Sequence, residues 1–150
     1  MTTTDDATTL VREITIHAPA ARIFAALTEP EQLVQWWGDD TMYHVRAMER
    51  DLRVGGRWQT TGEMADGTPF TVEGIYRVIE PPRLLEYTWH PNWVQRAGLP
   101  DTVVRVELQE RAGGTLVRVT HSGFTELADK QSHDLGWARV LEWLHKYIAP

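Results

Sequence analysis

The sequence GWARVLEWLHKYI, residues 136–148, decides the fold. Its large apolar residues recur every three or four positions, the spacing that places side chains on one face of an α-helix. These residues are Trp137, Leu141, Leu144 and Ile148, flanked by Val140 and Tyr147. Glu142 and Lys146 form an i, i+4 pair on the outer side. We therefore predict a long amphipathic C-terminal helix whose apolar face covers another element.

The residues that precede this helix alternate between apolar and polar side chains, which is typical of half-buried β-strands. Glycine pairs and an Asp-Gly dipeptide separate the alternating runs, and such residues favour tight turns between antiparallel strands. These turns are Gly55-Gly56, Asp66-Gly67 and Gly113-Gly114. The pattern predicts one strand that begins at Leu10 and six more after residue 44.

Two segments with helical spacing follow the first strand. Pro19 stands where the first turn of a helix tolerates proline, and the helix is expected to end near Pro30. The string Thr28-Glu29-Pro30-Glu31 has the form of a capping box, so Thr28 is expected to cap the second helix. That helix is predicted to run to Trp36-Trp37, where Gly38 closes it.

These elements predict an α+β helix-grip fold. It consists of a curved antiparallel sheet of about seven strands around the long C-terminal helix, with two short helices after the first strand. Because such a sheet is much wider than one helix, which is roughly 10 Å across, it must curl and leave space at its open end. Residues 1–9 are polar and aperiodic and are expected to form a flexible tail. Residues 10–150 are predicted to form a single domain.

The space between sheet and helix is predicted to be bordered by aromatic side chains, which either fill it as core or line a cavity. Gly62, Gly74 and Gly136 indicate a close approach of a ligand or another backbone, because glycine inside an element costs roughly 0.5–1 kcal/mol relative to alanine. The candidate ligand-binding residues are Trp36, Trp37, Trp58, Thr60, Tyr76, Tyr87, Trp89, Val119, His121, Trp137 and Leu141.

His121 is the candidate catalytic residue. Strand parity places it with Val117 and Val119 on the cavity face, where a histidine acts as general acid or base or as a hydrogen-bonded wall residue. His133, one turn before Trp137, could face the same space. The six histidines show no ligand spacing and there is no His-Glu-x-x-His string, so no metal and no cofactor are expected.

Composition excludes several classes of partner. The formal charge of −6 argues against nucleic acid, whose binding depends on Lys and Arg. The chain contains no cysteine, and no apolar run approaches the roughly 18 residues that span a bilayer. We expect a cytoplasmic protein without membrane insertion.

The long loop from His90 to Asp101 contains Trp93, which could close over a ligand or contact a second subunit in a homodimer.

Several strings, in this order and spacing, resemble the bacterial homologues of the heat-shock chaperone ATPase activator. That family is a branch of the START and birch-pollen-allergen-like superfamily, abbreviated SRPBCC. The strings are IFAALTEP (23–30), WWG (36–38), DLRVGGRW (51–58), EPPRL (80–84) and HSGF (121–124). The resemblance covers about residues 10–149. It implies the helix-grip fold and, in many relatives, an apolar cavity for lipids, polyketides, hormones or aromatic compounds.

Three functional hypotheses follow. The first is a module that binds a small apolar or aromatic molecule between sheet and C-terminal helix. The second is an enzyme that uses the same cavity for cyclisation, dehydration or hydrolysis, with His121 beside Tyr76 and Tyr87. The third, which rests on the family name alone, is a chaperone-associated protein of the stress response.

Overall fold

A computed structural model describes residues 8–149 of the chain. Most of the predicted tail, residues 1–7, lies outside this described part. The elements are β1 (Thr9–Ile16), α1 (Ala20–Thr28), α2 (Pro30–Trp36), β2 (Gly38–Asp39), β3 (Tyr43–Arg50), β4 (Arg57–Met64), β5 (Pro69–Glu80), β6 (Leu84–Pro91), a 3₁₀ turn (Val94–Arg96), β7 (Thr102–Arg111), β8 (Gly114–Ser122) and α3 (Leu127–Ile148). The predicted α+β helix-grip class is confirmed.

The strands form one antiparallel sheet in the order β1-β8-β7-β6-β5-β4-β3-β2. This gives eight strands among the described residues, against the seven expected from sequence. The additional strand is β2, which pairs Gly38 with His44 and Asp39 with Tyr43. Gly38 has φ of 126°, and a Cβ there would lie 2.1 Å from the Tyr43 carbonyl oxygen. Glycine therefore permits the chain to turn from α2 directly into a strand.

The junction between α1 and α2 differs from the expected capping box. Thr28 is the last residue of α1, and its hydroxyl donates to the Phe24 carbonyl oxygen at 2.8 Å. Glu29 stands at the N-cap of α2 without a side-chain cap, and Pro30 opens the helix. The expectation that Thr28 caps α2 was wrong, because its hydroxyl bonds back into the preceding turn instead.

The alternating strand residues face inward as their parity predicts, and α3 covers only part of them. Arg12 of β1 donates to Asp134 of α3 at 2.7 Å, and Trp137 of α3 reaches His121 of β8. The inner face of β7 and β8 is closely packed, with Val104 and Val117 fully buried. The other half of the inner face, β3 to β6, extends beyond the helix.

Candidate functional site

A pocket of about 980 Å³ lies between α3 and the uncovered half of the sheet. Every strand residue in its lining comes from β3, β4, β5 or β6. The remaining walls come from α1, α2, α3, the turns after β2 and β4 and the loop after β6. The location follows from geometry, because one helix packs against one half of a curved sheet and cannot fill the other half. The volume lies at the upper end of the range for small-molecule sites.

Aromatic rings form most of the inner wall. Trp58 packs edge-on against Tyr87 with ring centroids 5.2 Å apart, and Trp89 lies 5.8 Å from Trp137. Trp37 in turn contacts Trp137 at 5.9 Å. Such tilted and edge-to-face contacts are the favoured arrangements of aromatic pairs. The rings therefore hold one another in place while their remaining faces border the pocket.

The pocket opens at the turn between β4 and β5 and at the loop after β6. The residues there are solvent-exposed, in contrast to the inner lining. Two of them, Met64 and Val94, are apolar and 40% and 79% exposed, and Leu135 of α3, which also lines the pocket, is 62% exposed. Trp93 also borders this mouth and lies 6.0 Å from the His133 ring. The mouth of the pocket therefore has an apolar rim.

The structure brings seven of the eleven predicted ligand-binding residues to the pocket. They are Trp37, Trp58, Thr60, Tyr76, Tyr87, Trp89 and Trp137. The other four, Trp36, Val119, His121 and Leu141, are buried but do not line it. Val119 and His121 belong to β8, in the half of the sheet that the helix covers. Trp36 is held between the short helices, since its indole N–H donates to the Ala26 carbonyl oxygen at 3.0 Å.

His121 belongs to a chain of hydrogen bonds. Its Nδ1 accepts the indole N–H of Trp137 at 2.9 Å, so the ring proton belongs on Nε2. Nε2 then donates to Oγ1 of Thr102 at 2.6 Å, and that hydroxyl donates to the Trp89 carbonyl oxygen at 3.5 Å. Both ring nitrogens are occupied by the protein. This geometry favours a structural role for His121, which ties α3 to three strands.

His133 lies against the same cluster and does line the pocket. Its Nε2 accepts the indole N–H of Trp89 at 3.2 Å, and its Nδ1 donates to the Asp129 carbonyl oxygen at 2.9 Å. Burial lowers the pKa of His133, while Asp129 opposes the shift. Burial also lowers the pKa of His121 well below its usual range, and the proximity of His133 and Arg96 adds to this effect. Both rings are therefore neutral and have defined tautomers.

A buried ion pair anchors the loop after β6 to the start of α3. Arg96 donates through Nε to both carboxylate oxygens of Asp129, at 3.1 and 3.0 Å, and through Nη2 to the Pro100 carbonyl oxygen at 3.2 Å. The side chains are only 2% and 9% exposed. Nη1 of Arg96 is buried without a partner among the described residues. Sequence reasoning missed this pair, because 33 positions separate the two residues and no local pattern links them.

Among the described residues, no group of His, Cys, Asp and Glu could hold a metal ion. Nor does any helix in residues 8–149 have the length and apolar character needed to cross a membrane.

A curved antiparallel sheet around a long C-terminal helix, with a pocket between them, defines the helix-grip class. The sequence model of the family described as "Activator of Hsp90 ATPase homolog 1-like protein" matches residues 17–149. The chain belongs to this family, which confirms the resemblance found in the sequence.

Solved structures of bacterial proteins share the fold. Protein CV1439 from Chromobacterium violaceum superposes with a TM-score of 0.80 at 22% identity, covering 95% of this chain and 98% of its own. CalU16 from Micromonospora echinospora gives 0.72 at 25% identity, with 95% and 76% covered. The AHSA1-like protein from Aeromonas hydrophila gives 0.75 at 24% identity, with 93% of each chain covered. No curated protein matches the chain.

Proposed function

We propose that this protein binds a small apolar or aromatic molecule in the pocket between the sheet and α3. The observation that carries the proposal is the pocket itself, about 980 Å³ in volume and walled by Trp58, Tyr76, Tyr87, Trp89 and Trp137. A concave, mostly apolar site with a few polar groups is the usual form of a small-molecule site. Burial of ligand surface against these rings supplies the binding free energy.

The composition of the walls supports an uncharged ligand body. The indole N–H groups of Trp37, Trp89 and Trp137 are all bonded within the protein, so they present ring faces to a ligand. The strand residues of the lining are all uncharged, and its charged residues, such as Asp66, Asp129 and Arg139, lie in the turn after β4 or on α3. A ligand would therefore bury its apolar part inward and keep polar substituents at the entrance.

The catalytic alternative receives no support from His121, because this residue is outside the lining and both ring nitrogens are engaged. The chaperone-associated alternative rests on the family description, and no contact in the described residues favours it. We place the binding function in the cytoplasm, in keeping with a chain that has no cysteine.

Gly136 offers a direct test. It lines the pocket from the middle of the inward stripe of α3, and a Cβ added there meets no atom within 4 Å. A Gly136→Trp side chain would occupy ligand space beside Trp137 without a backbone clash. We expect the wild type to bind the neutral fluorescent probe N-phenyl-1-naphthylamine saturably. We expect Gly136→Trp to weaken binding roughly tenfold, the loss of about 1.4 kcal/mol of contact.

Gly136→Ala is the matched control, because a methyl group fills little of the pocket. It should retain wild-type affinity for the probe. Circular dichroism and thermal unfolding of both variants would verify that they fold. Equal affinity of Gly136→Trp and wild type, or probe uptake that never saturates, would contradict binding in this pocket.

A further inference from the structure

Two tyrosines face each other at the inner part of the pocket. Tyr76 of β5 and Tyr87 of β6 are directly paired across the two strands, so their side chains lie on the same face of the sheet. Their ring centroids are 6.4 Å apart and the ring planes are nearly perpendicular. Both residues line the pocket and are buried, with 2% and 8% exposure.

Neither phenol hydroxyl has a hydrogen-bond partner among residues 8–149, although buried polar groups are nearly always paired. Within the described part of the chain, two buried side-chain atoms lack both a partner and accessible surface, Trp58 Nε1 and Arg96 Nη1. The Trp58 indole N–H packs against Gly74, where a Cβ would lie 2.7 Å away. The two hydroxyls are not in that sealed group, so each keeps some accessible surface, and both residues line the pocket.

Both hydroxyls are protonated donors. Burial raises the pKa of Tyr76 to about 12, and it raises the pKa of Tyr87 further, with Tyr76 as an additional cause. The positive charge of Arg50 acts on Tyr76, but this residue is already paired within the protein. It donates to Glu29 at 3.1 Å and to the Thr28 carbonyl oxygen at 2.8 Å, so it is not a free counter-ion for a ligand anion. This end of the pocket therefore suits a neutral acceptor better than a carboxylate.

We infer that Tyr76 and Tyr87 together donate hydrogen bonds to one neutral carbonyl oxygen of the ligand, which makes aromatic ketones and related carbonyl compounds the preferred class. A carbonyl oxygen has two lone pairs and can accept both bonds. The inference rests on the proposed function, since it assigns a polar subsite within the same pocket.

The position of the pair sets the direction of binding. Pro69 borders the mouth, and Tyr76 lies seven residues further along β5. At about 3.3 Å per residue this corresponds to roughly 23 Å along the strand. The carbonyl group therefore enters first, and the aromatic body lies against Trp58 and Trp89.

The test uses a matched pair of probes, 9-fluorenone and fluorene, which differ by a carbonyl group in place of a methylene. Wild-type protein should bind both, as measured by quenching of tryptophan emission. Each hydrogen bond is expected to strengthen binding roughly two- to tenfold. We therefore expect the two bonds together to make fluorenone bind at least about fourfold more tightly than fluorene.

Three variants locate the effect. Tyr76→Phe and Tyr87→Phe should each reduce the fluorenone preference, and the double variant should abolish it, so that fluorenone and fluorene bind with equal affinity. Tyr147→Phe is the control, because its hydroxyl donates to Gln32 at 3.4 Å outside the pocket lining. It should keep the full preference.

A structural role of the two hydroxyls would give a different result for the ligand-free protein. Removal of an unpaired buried hydroxyl should leave the melting temperature unchanged or raise it. If both variants instead melt lower and lose affinity for both probes equally, the subsite assignment is overturned. Equal binding of fluorenone and fluorene by the wild type would also overturn it and leave pocket binding intact. Failure of both probes to bind would count against the proposed function itself.

Discussion

The ion pair between Arg96 and Asp129 gives the sharpest stability prediction. The perturbation is Asp129→Asn, which keeps the shape of the side chain and removes its charge. Three donor–acceptor contacts of 2.9 to 3.1 Å join the guanidinium to the carboxylate, and the two side chains are 2% and 9% exposed. The variant leaves the Arg96 charge buried without a counter-ion.

The expected magnitude follows from this burial. Removal of one partner of a buried pair costs about 3–5 kcal/mol, because the remaining charge has lost both water and its counter-ion. For a domain of this size, each 1 kcal/mol corresponds to roughly 2–4 °C of melting temperature. Asp129→Asn should therefore lower the melting temperature by roughly 6–20 °C. An exposed pair provides the comparison: Glu73→Gln breaks the contact with Arg57, whose side chain is 71% exposed, and should change stability by less than about 1 kcal/mol.

Urea unfolding at neutral pH measures the free energies, with Arg96→Met/Asp129→Asn as the compensating variant. The double variant removes both charges and should recover at least about 2 kcal/mol relative to Asp129→Asn alone, since no uncompensated charge remains. The reasoning would be refuted if Asp129→Asn and Glu73→Gln had the same small effect. It would fail equally if the double variant were no more stable than the single one.

Two further predictions concern the buried histidines and the contrast between two glycines. The folded state keeps His121 and His133 neutral, whereas the unfolded chain takes up protons near pH 6.5, so stability is fully present above that pH and falls below it. Urea unfolding between pH 7 and 5 should show a stability that falls with pH, with about 1.4 kcal/mol per pH unit as the limiting slope for each histidine that stays neutral in the folded state. His121→Asn should flatten this slope, and an unchanged slope would exclude His121 as its source. Gly74→Ala should destabilise the protein by about 1–3 kcal/mol or more, because the new Cβ would lie 1.9 Å from the Thr88 carbonyl oxygen. Gly136→Ala should stabilise it by about 0.5–1 kcal/mol, and equal melting temperatures for the two variants would refute this contrast.

Strand parity predicted much of what surrounds the pocket. Alternation placed Trp58, Tyr76 and Tyr87 on the inner face, and the structure puts all three there. Parity could not separate them from Val119 and His121, which have the same inward orientation in β8. The difference depends on which strands α3 covers, and that depends on contacts between distant segments such as Arg12 with Asp134.

The prediction made from the glycines within strands and helices also had two different outcomes in the structure. Sequence indicated a close approach at Gly74 and Gly136 but could not name the approaching group. At Gly74 it is the neighbouring strand and the Trp58 indole, whereas at Gly136 the space is open to the pocket. Local propensity also misled at Thr28, whose hydroxyl donates to a carbonyl oxygen of the preceding turn instead of accepting backbone N–H groups of the next helix.

The sequence by itself determined the order of the elements other than the two-residue β2, the antiparallel sheet, the long covering helix and the family, because periodicity and turn residues act over a few neighbouring positions. The tertiary structure alone decided where the helix lies on the sheet, which inward residues border open space, and that Arg96 meets Asp129. These features arise from contacts between residues far apart in the chain, and their energies depend on burial that no local pattern records. The pocket exists because a single helix covers one half of a sheet that is wide enough for two helices.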